Sequence, residues 1–149
     1  MSSPTIEEKD AIKIHGIRNK DLELKGLAIE EILLRLLAIL KGKIIIAHHA
    51  RFDAAMLDKY FVEYFSVPLL NPLLDTALLA RKLDRKGLEL PPLNDDRYTL
   101  DALCKTEKIA QPDRHTALGD AYATALLFLK LKKKLVGRKI SLNEEIFYG

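Results

Sequence analysis

The stretch that most constrains this chain is Lys43-Ile44-Ile45-Ile46-Ala47, three isoleucines in a row with no polar residue between them. β-Branched side chains favour extended backbone, and a run without polar alternation reads as a strand covered on both faces. Strands buried in that way belong to parallel α/β sheets. Gly42 stands just before it, where a helix C-terminus favours a left-handed residue. Upstream, residues 28–40 place Ile29, Ile32, Leu33, Leu36 and Leu40 at helical spacing, and Leu34 and Leu37 widen the stripe. This helix is expected to be more than half buried. Downstream, His48-His49-Ala50-Arg51 leaves the strand, and Phe52-Asp53 opens a second helix. Its inner face is expected to be aromatic, with Phe52, Leu57, Tyr60, Phe61, Tyr64 and Phe65.

Pro68 and Pro72 then interrupt the chain. Asp75-Thr76 starts a third helix, expected to end near Gly87 with Leu78 and Leu79 inward. Pro91, Pro92, Asn94 and Asp95 mark a loop. Thr99 is suited to cap a short helix over 100–107. A last helix is expected over 116–135, with Leu118, Tyr122, Ala125 and Leu129 inward and Gly137 stopping it. The layout is one helix-rich α/β domain over 1–149, with 137–149 as a tail. Few further strands are legible. A buried strand needs partners for its backbone groups, so the sheet is expected to be incomplete or completed by another chain.

Composition narrows the class. Apolar residues make up 48% and charged residues 30% of the 149, the balance of a folded, water-soluble domain. One cysteine, Cys104, suits a reducing cytoplasm, and the polar, acidic start does not resemble a cleavable signal. The greasiest run, 27–40, is broken by Glu30, Glu31 and Arg35, so no membrane partner is expected. Lys130, Lys132, Lys133, Lys134, Arg138 and Lys139 crowd one region of a chain whose net charge is only +3. A solvated basic helix end facing the dipole is preferred there over a phosphate-binding patch.

In α/β sheets, ligands sit beyond the carboxyl ends of the strands. That position holds His48, His49 and Asp53. Asp53, in a first helical turn, is favoured as an ionised carboxylate and a ligand for a hard cation. The stretch 113–121 offers His115 and Asp120, with the small Ala117 and Ala121 between and beyond them. Carboxylates, a divalent ion and a histidine base together suit phosphodiester hydrolysis. The plainer reading of 113–121 is a capped helix start with an incidental histidine.

Ala47-His48-His49-Ala50-Arg51-Phe52-Asp53 resembles the second motif of the DEDDh 3′–5′ exonucleases, and His115-Thr-Ala-Leu-Gly-Asp120-Ala121 closely resembles their third. Ile14-His15-Gly16-Ile17, Asp75-Thr76 and Tyr98-Thr99-Leu100 also fall where that family has similar segments. The similarity runs over about 8–136 in the family's order and is similar to the epsilon subunit of DNA polymerase III. It implies a ribonuclease-H-like fold, a two-metal mechanism with Mg²⁺ or Mn²⁺, and release of nucleoside monophosphates from a DNA or RNA 3′ end. By the same resemblance Asp53 and Asp120 are metal ligands, His115 the general base, and His48, His49 and Phe52 the substrate-binding residues. A DNA polymerase, or a second copy of the chain, is the implied protein partner.

Two departures go with it. His49 stands where the family usually has Asn. The family's first motif, Asp-x-Glu on a first strand, is expected N-terminal to residue 8, and no apolar strand carries it there; Glu7-Glu8-Lys9-Asp10 has no flanking strand. The fold is therefore expected to be N-terminally incomplete, with two metal-binding carboxylates missing and activity impaired. A relic that binds nucleic acid or protein without catalysis is one rival reading. A His/Asp metal-dependent phosphohydrolase using His48, His49, His115 and the two aspartates is another.

Overall fold

In the computed structural model, which describes residues 28–85, 89–92, 94–140 and 147–148, the elements alternate between helices and very short strands. They are α1 (Ile29–Leu40), β1 (Ile45–Ala47), α2 (Arg51–Phe65), β2 (Leu73–Asp75), α3 (Thr76–Leu83), a 3₁₀ turn (Asp96–Tyr98), α4 (Leu100–Thr106), α5 (Ala117–Gly137) and β3 (Phe147–Tyr148). The segment around Ile14 to Ile17 and the expected loss of first strands lie outside the described residues. No described helix is long and apolar enough to cross a membrane.

β1 and β2 pair in parallel, with Ile45 opposite Leu73 and Ala47 opposite Asp75. β2 pairs antiparallel with β3, so among the described strands β2 is central and β1 lies at an edge. The parallel pairing matches the expectation from the isoleucine run. Its burial does not: β2 is buried at all three residues, whereas β1 is only partly covered. The expectation missed β2 altogether, because three residues behind Pro72 carry too little periodicity to announce a strand.

α5 is the spine of the core. Ala123, Leu127, Leu131 and Leu135 recur every fourth residue and pack with Leu79 and Leu83 of α3 and Leu103 of α4. The expected inner stripe is corrected, since Leu118, Tyr122, Ala125 and Leu129 are all exposed rather than in the core, with Ala125 and Leu129 lining a cavity. The helix is apolar around most of its circumference, so periodicity alone does not choose the side that α3 and α4 cover. Two other expectations fail similarly. In α2 only Phe61 is buried, and Phe52 is 81% exposed. In α1 only Leu33 is buried, because its chief neighbour among the described elements is α2 alone.

Several local signals hold. Thr99 caps α4 by accepting from the Ala102 N–H at 3.3 Å. Gly42 follows α1 with φ +67°, in the left-handed region. α3 stops at Leu83, short of Gly87, with Leu79 buried and Leu78 partly so. The basic end of α5 is largely structural. Lys130 donates to the Glu107 carbonyl, Lys134 pairs with the Glu107 carboxylate, and Arg138 donates to the Leu83 carbonyl at 2.5 Å. These cations satisfy open C-terminal ends of α3 and α4.

Candidate functional site

The parallel register sets the site. Because Ala47 lies opposite Asp75, the residues that follow each strand emerge side by side. His48 Nδ1 lies 2.9 Å from Thr76 Oγ1. The buried Asp75 carboxylate caps α3 through the N–H groups of Ala77 (2.8 Å) and Leu78 (3.4 Å). It also accepts from the backbone N–H of His49 and of Ala50, each at 3.1 Å. One carboxylate thus anchors the start of one helix and the turn that launches another. That turn puts His49 at φ +58°, a conformation an L-residue holds only when its surroundings enforce it.

Beyond this turn a cavity of about 820 Å³ opens between the end of β1, the first turn of α2, the start of α4 and the first turns of α5. His48, His49 and Asp53 line one side and Arg114 and Asp120 another, with Ile46, Leu100 and Phe128 among the apolar lining. Asp53 and Asp120, from distant parts of the sequence, therefore line one cavity.

The remaining nominated residues stand differently. Phe52 points outward and does not line the cavity. His115 sits at the rim, exposed, at φ +68°, and its side chain is not part of the lining. Its backbone N–H donates to Asp120 Oδ1 at 3.2 Å. The loop is pressed against α5 at Gly119, where an added Cβ would lie 2.2 Å from the Asp113 carbonyl oxygen. Thr116 caps α5 by accepting from the Gly119 N–H at 3.0 Å. The capped helix start and the candidate site are the same structure.

Electrostatics separate the groups. Burial first, and then the neighbouring His49, lower His48 to about 4, so it is neutral near pH 7. Its Nε2 is buried with no hydrogen-bond partner. Partial desolvation pushes the Asp53 carboxyl up, a backbone hydrogen bond opposes it, and nearby Asp75 adds to the rise, although the residue stays exposed at the cavity. Arg114 bridges Asp120 and Asp101 through separate guanidinium nitrogens, and holds Asp101 below the usual carboxylate range.

Two hard carboxylate oxygens on one cavity fit a divalent ion in kind. They fit it incompletely in number: among the described residues, no three His, Cys, Asp or Glu side chains converge to hold an ion, and Asp120 is already engaged by Arg114. Sequence reasoning gave no part in the site to Arg114, Asp75, Thr76 or Gly119. Each lies in or beside a quoted segment, but its partners are distant in sequence or appear only when the loop closes.

Comparison with known proteins is consistent with this geometry. The profile of the family described as Exonuclease matches residues 3–128. A DNA polymerase III PolC-type of Oceanobacillus iheyensis is 38% identical over 103 residues, covering 69% of this chain and 7% of that protein. A DNA polymerase III PolC-type of Thermotoga petrophila is 32% identical over 137 residues, 90% of this chain and 9% of that protein. The DNA polymerase III subunit epsilon of Buchnera aphidicola is 30% identical over 127 residues, 82% of this chain and 49% of that protein. The chain thus spans about half of that epsilon subunit and under a tenth of these two PolC-type proteins. With its second and third motifs brought to one cavity, the chain belongs to the DEDDh exonuclease family, in its DNA polymerase III epsilon-like branch.

Proposed function

We propose that this chain is a 3′–5′ exonuclease domain that hydrolyses the terminal phosphodiester bond of a nucleic acid. Membership implies a ribonuclease-H-like fold, and the family generally uses divalent metals. The observation that carries the reading is the meeting of Asp53 and Asp120 on one cavity at the carboxyl end of β1. In this reading Asp53 and Asp120 would hold Mg²⁺ or Mn²⁺, which would supply charge stabilisation for the phosphodiester oxygens. His115, next to Arg114 of the lining and bonded through its backbone N–H to Asp120, is the proposed acceptor of the proton of the attacking water. His48, neutral and half-buried in the wall, and His49 contact the substrate, while the Ile46, Leu100 and Phe128 surface excludes water from the terminal nucleotide. Phe52 contributes as a substrate contact only from outside the cavity. A DNA polymerase is the proposed partner, from the names of the relatives.

The test is release of mononucleotides from 5′-labelled DNA and RNA with Mn²⁺. Shortening from the 3′ end is expected, with His115→Ala lowering the rate by about 10²–10⁴-fold. Full turnover in Asp120→Asn would overturn the reading. A second reading, a non-catalytic nucleic-acid-binding module, is favoured by the Arg114–Asp120 pairing and the shortage of converging donors. It predicts metal-independent binding of a 3′ end with no shortening in any variant.

A further inference from the structure

We propose that a second copy of this chain docks antiparallel along the outer face of α5, through a stripe that is complementary to its own reversal. Leu118, Tyr122, Ala125, Leu129, Lys132 and Val136 recur at alternating intervals of four and three residues, so they share one side of the helix. All six are exposed, Leu118 at 80%, Tyr122 at 50%, Leu129 at 58% and Val136 at 65%. The other side of α5, with Ala123, Leu127, Leu131 and Leu135, is already buried in the core. The stripe is about 27 Å long, and contiguous apolar surface of this kind marks an interaction site. The pairing stands independently of the exonuclease reading, although Ala125 and Leu129 also line the cavity.

The intervals read the same in both directions about the midpoint between Ala125 and Leu129. In an antiparallel pair crossing there, Leu118 meets the partner's Val136, Tyr122 the partner's Lys132, and Ala125 the partner's Leu129. The small Ala125 receives the large leucine, twice by symmetry, and the lysine stem lies over the Tyr122 ring with its ammonium at the rim. Charge chooses the direction. Residues 117–129 carry Asp120 as their one charged side chain, whereas Lys130, Lys132, Lys133, Lys134 and Arg138 follow over 130–138. An antiparallel pair sets each basic half beside the other copy's nearly uncharged half. It also keeps the two Lys132 side chains about 15 Å apart along the axis, beyond a screening length of about 8 Å. A parallel pair would set Lys132 against Lys132 and Lys133 against Lys133. This self-complementarity selects a second copy as the occupant.

The experiment is sedimentation velocity of the full chain over about 1–500 µM, with circular dichroism as a check on folding. One helix face makes a small interface, so a dimer with a dissociation constant on the order of 10–100 µM is expected. Leu129→Ala leaves alanine facing alanine and Ala125→Leu opposes two leucines; each is expected to weaken the dimer by about tenfold. The double variant exchanges the large and small partners and is expected to return to within about threefold of wild type. Leu129→Glu is expected to stay monomeric throughout. A wild type that stays monomeric over the whole range overturns the proposal, and cross-links from residues 1–27 to Lys132 or Lys133 would then assign the stripe to this chain's own N-terminal segment. A dimer indifferent to Leu129→Glu uses another surface and overturns it as well. Single variants that weaken the dimer without recovery in the double variant overturn the antiparallel register, and the proposal with it.

Discussion

Asp75 and Ala50, which have the whole of α2 between them in sequence, are joined by a 3.1 Å hydrogen bond from the Ala50 N–H to the Asp75 carboxylate. The same carboxylate receives the His49 N–H and caps α3. The turn that carries the candidate site is therefore held from the neighbouring strand, not by its own sequence.

Removing that carboxylate should be severe. Asp75→Ala leaves the His49, Ala50 and Ala77 N–H groups without their acceptor. Hydrogen bonds to a charged group are worth about 1.5–3 kcal/mol, and loss of a helix cap costs about 1 kcal/mol. Urea unfolding should show a loss of at least about 3 kcal/mol, with Asp75→Ser recovering the cap alone. Equal midpoints for wild type and Asp75→Ala would mean that the turn holds itself.

His48 gives stability a pH dependence of known sign. Its pKa is lowered to about 4 in the folded chain from an ordinary value of 6.5. Between those values the unfolded chain binds more protons, so stability should fall as pH drops from 6.5 towards 4 and level off outside that window. His48→Gln, which does not titrate, should flatten that segment of the curve. Urea midpoints at pH 7 and pH 4.5 measure the difference, and an identical drop in His48→Gln would assign it to other groups.

Gly119 is required by the loop, not by its own backbone. Its φ is not positive, yet an added Cβ meets the Asp113 carbonyl oxygen at 2.2 Å and the Pro112 carbonyl oxygen at 2.8 Å. Gly119→Ala must push the Asp113–Thr116 turn off the helix, at a cost of about 1–3 kcal/mol. Thermal unfolding should shift downward, and a protease should cut at 112–116 faster than in wild type. Unchanged melting and unchanged cleavage would show that the turn can move freely.

Leu127 and Leu129 test which side of α5 is the core. Leu127 is fully buried and Leu129 is 58% exposed. Leu127→Ala should cost about 2–5 kcal/mol, and Leu129→Ala less than about 1 kcal/mol. Chemical denaturation of the two variants side by side decides it; a larger loss at Leu129 would restore the stripe expected from periodicity.

The sequence by itself determined what depends on neighbours in the chain. The isoleucine run specified a strand in a parallel sheet, Thr99 a helix cap, Gly42 a helix end, and the two motifs the family, with Asp53 and Asp120 lining one cavity. β2 escaped notice because three residues do not establish a period. Only tertiary structure decided which face of α5 is covered, that Phe52 points outward, that partial desolvation raises the Asp53 carboxyl, and that Arg114 rather than solvent meets Asp120. The physical reason is range. Caps, turns and strand propensity act over a few residues, whereas burial and ion pairing depend on which distant segments share a space, as α5 shares one with the turn that Asp75 holds.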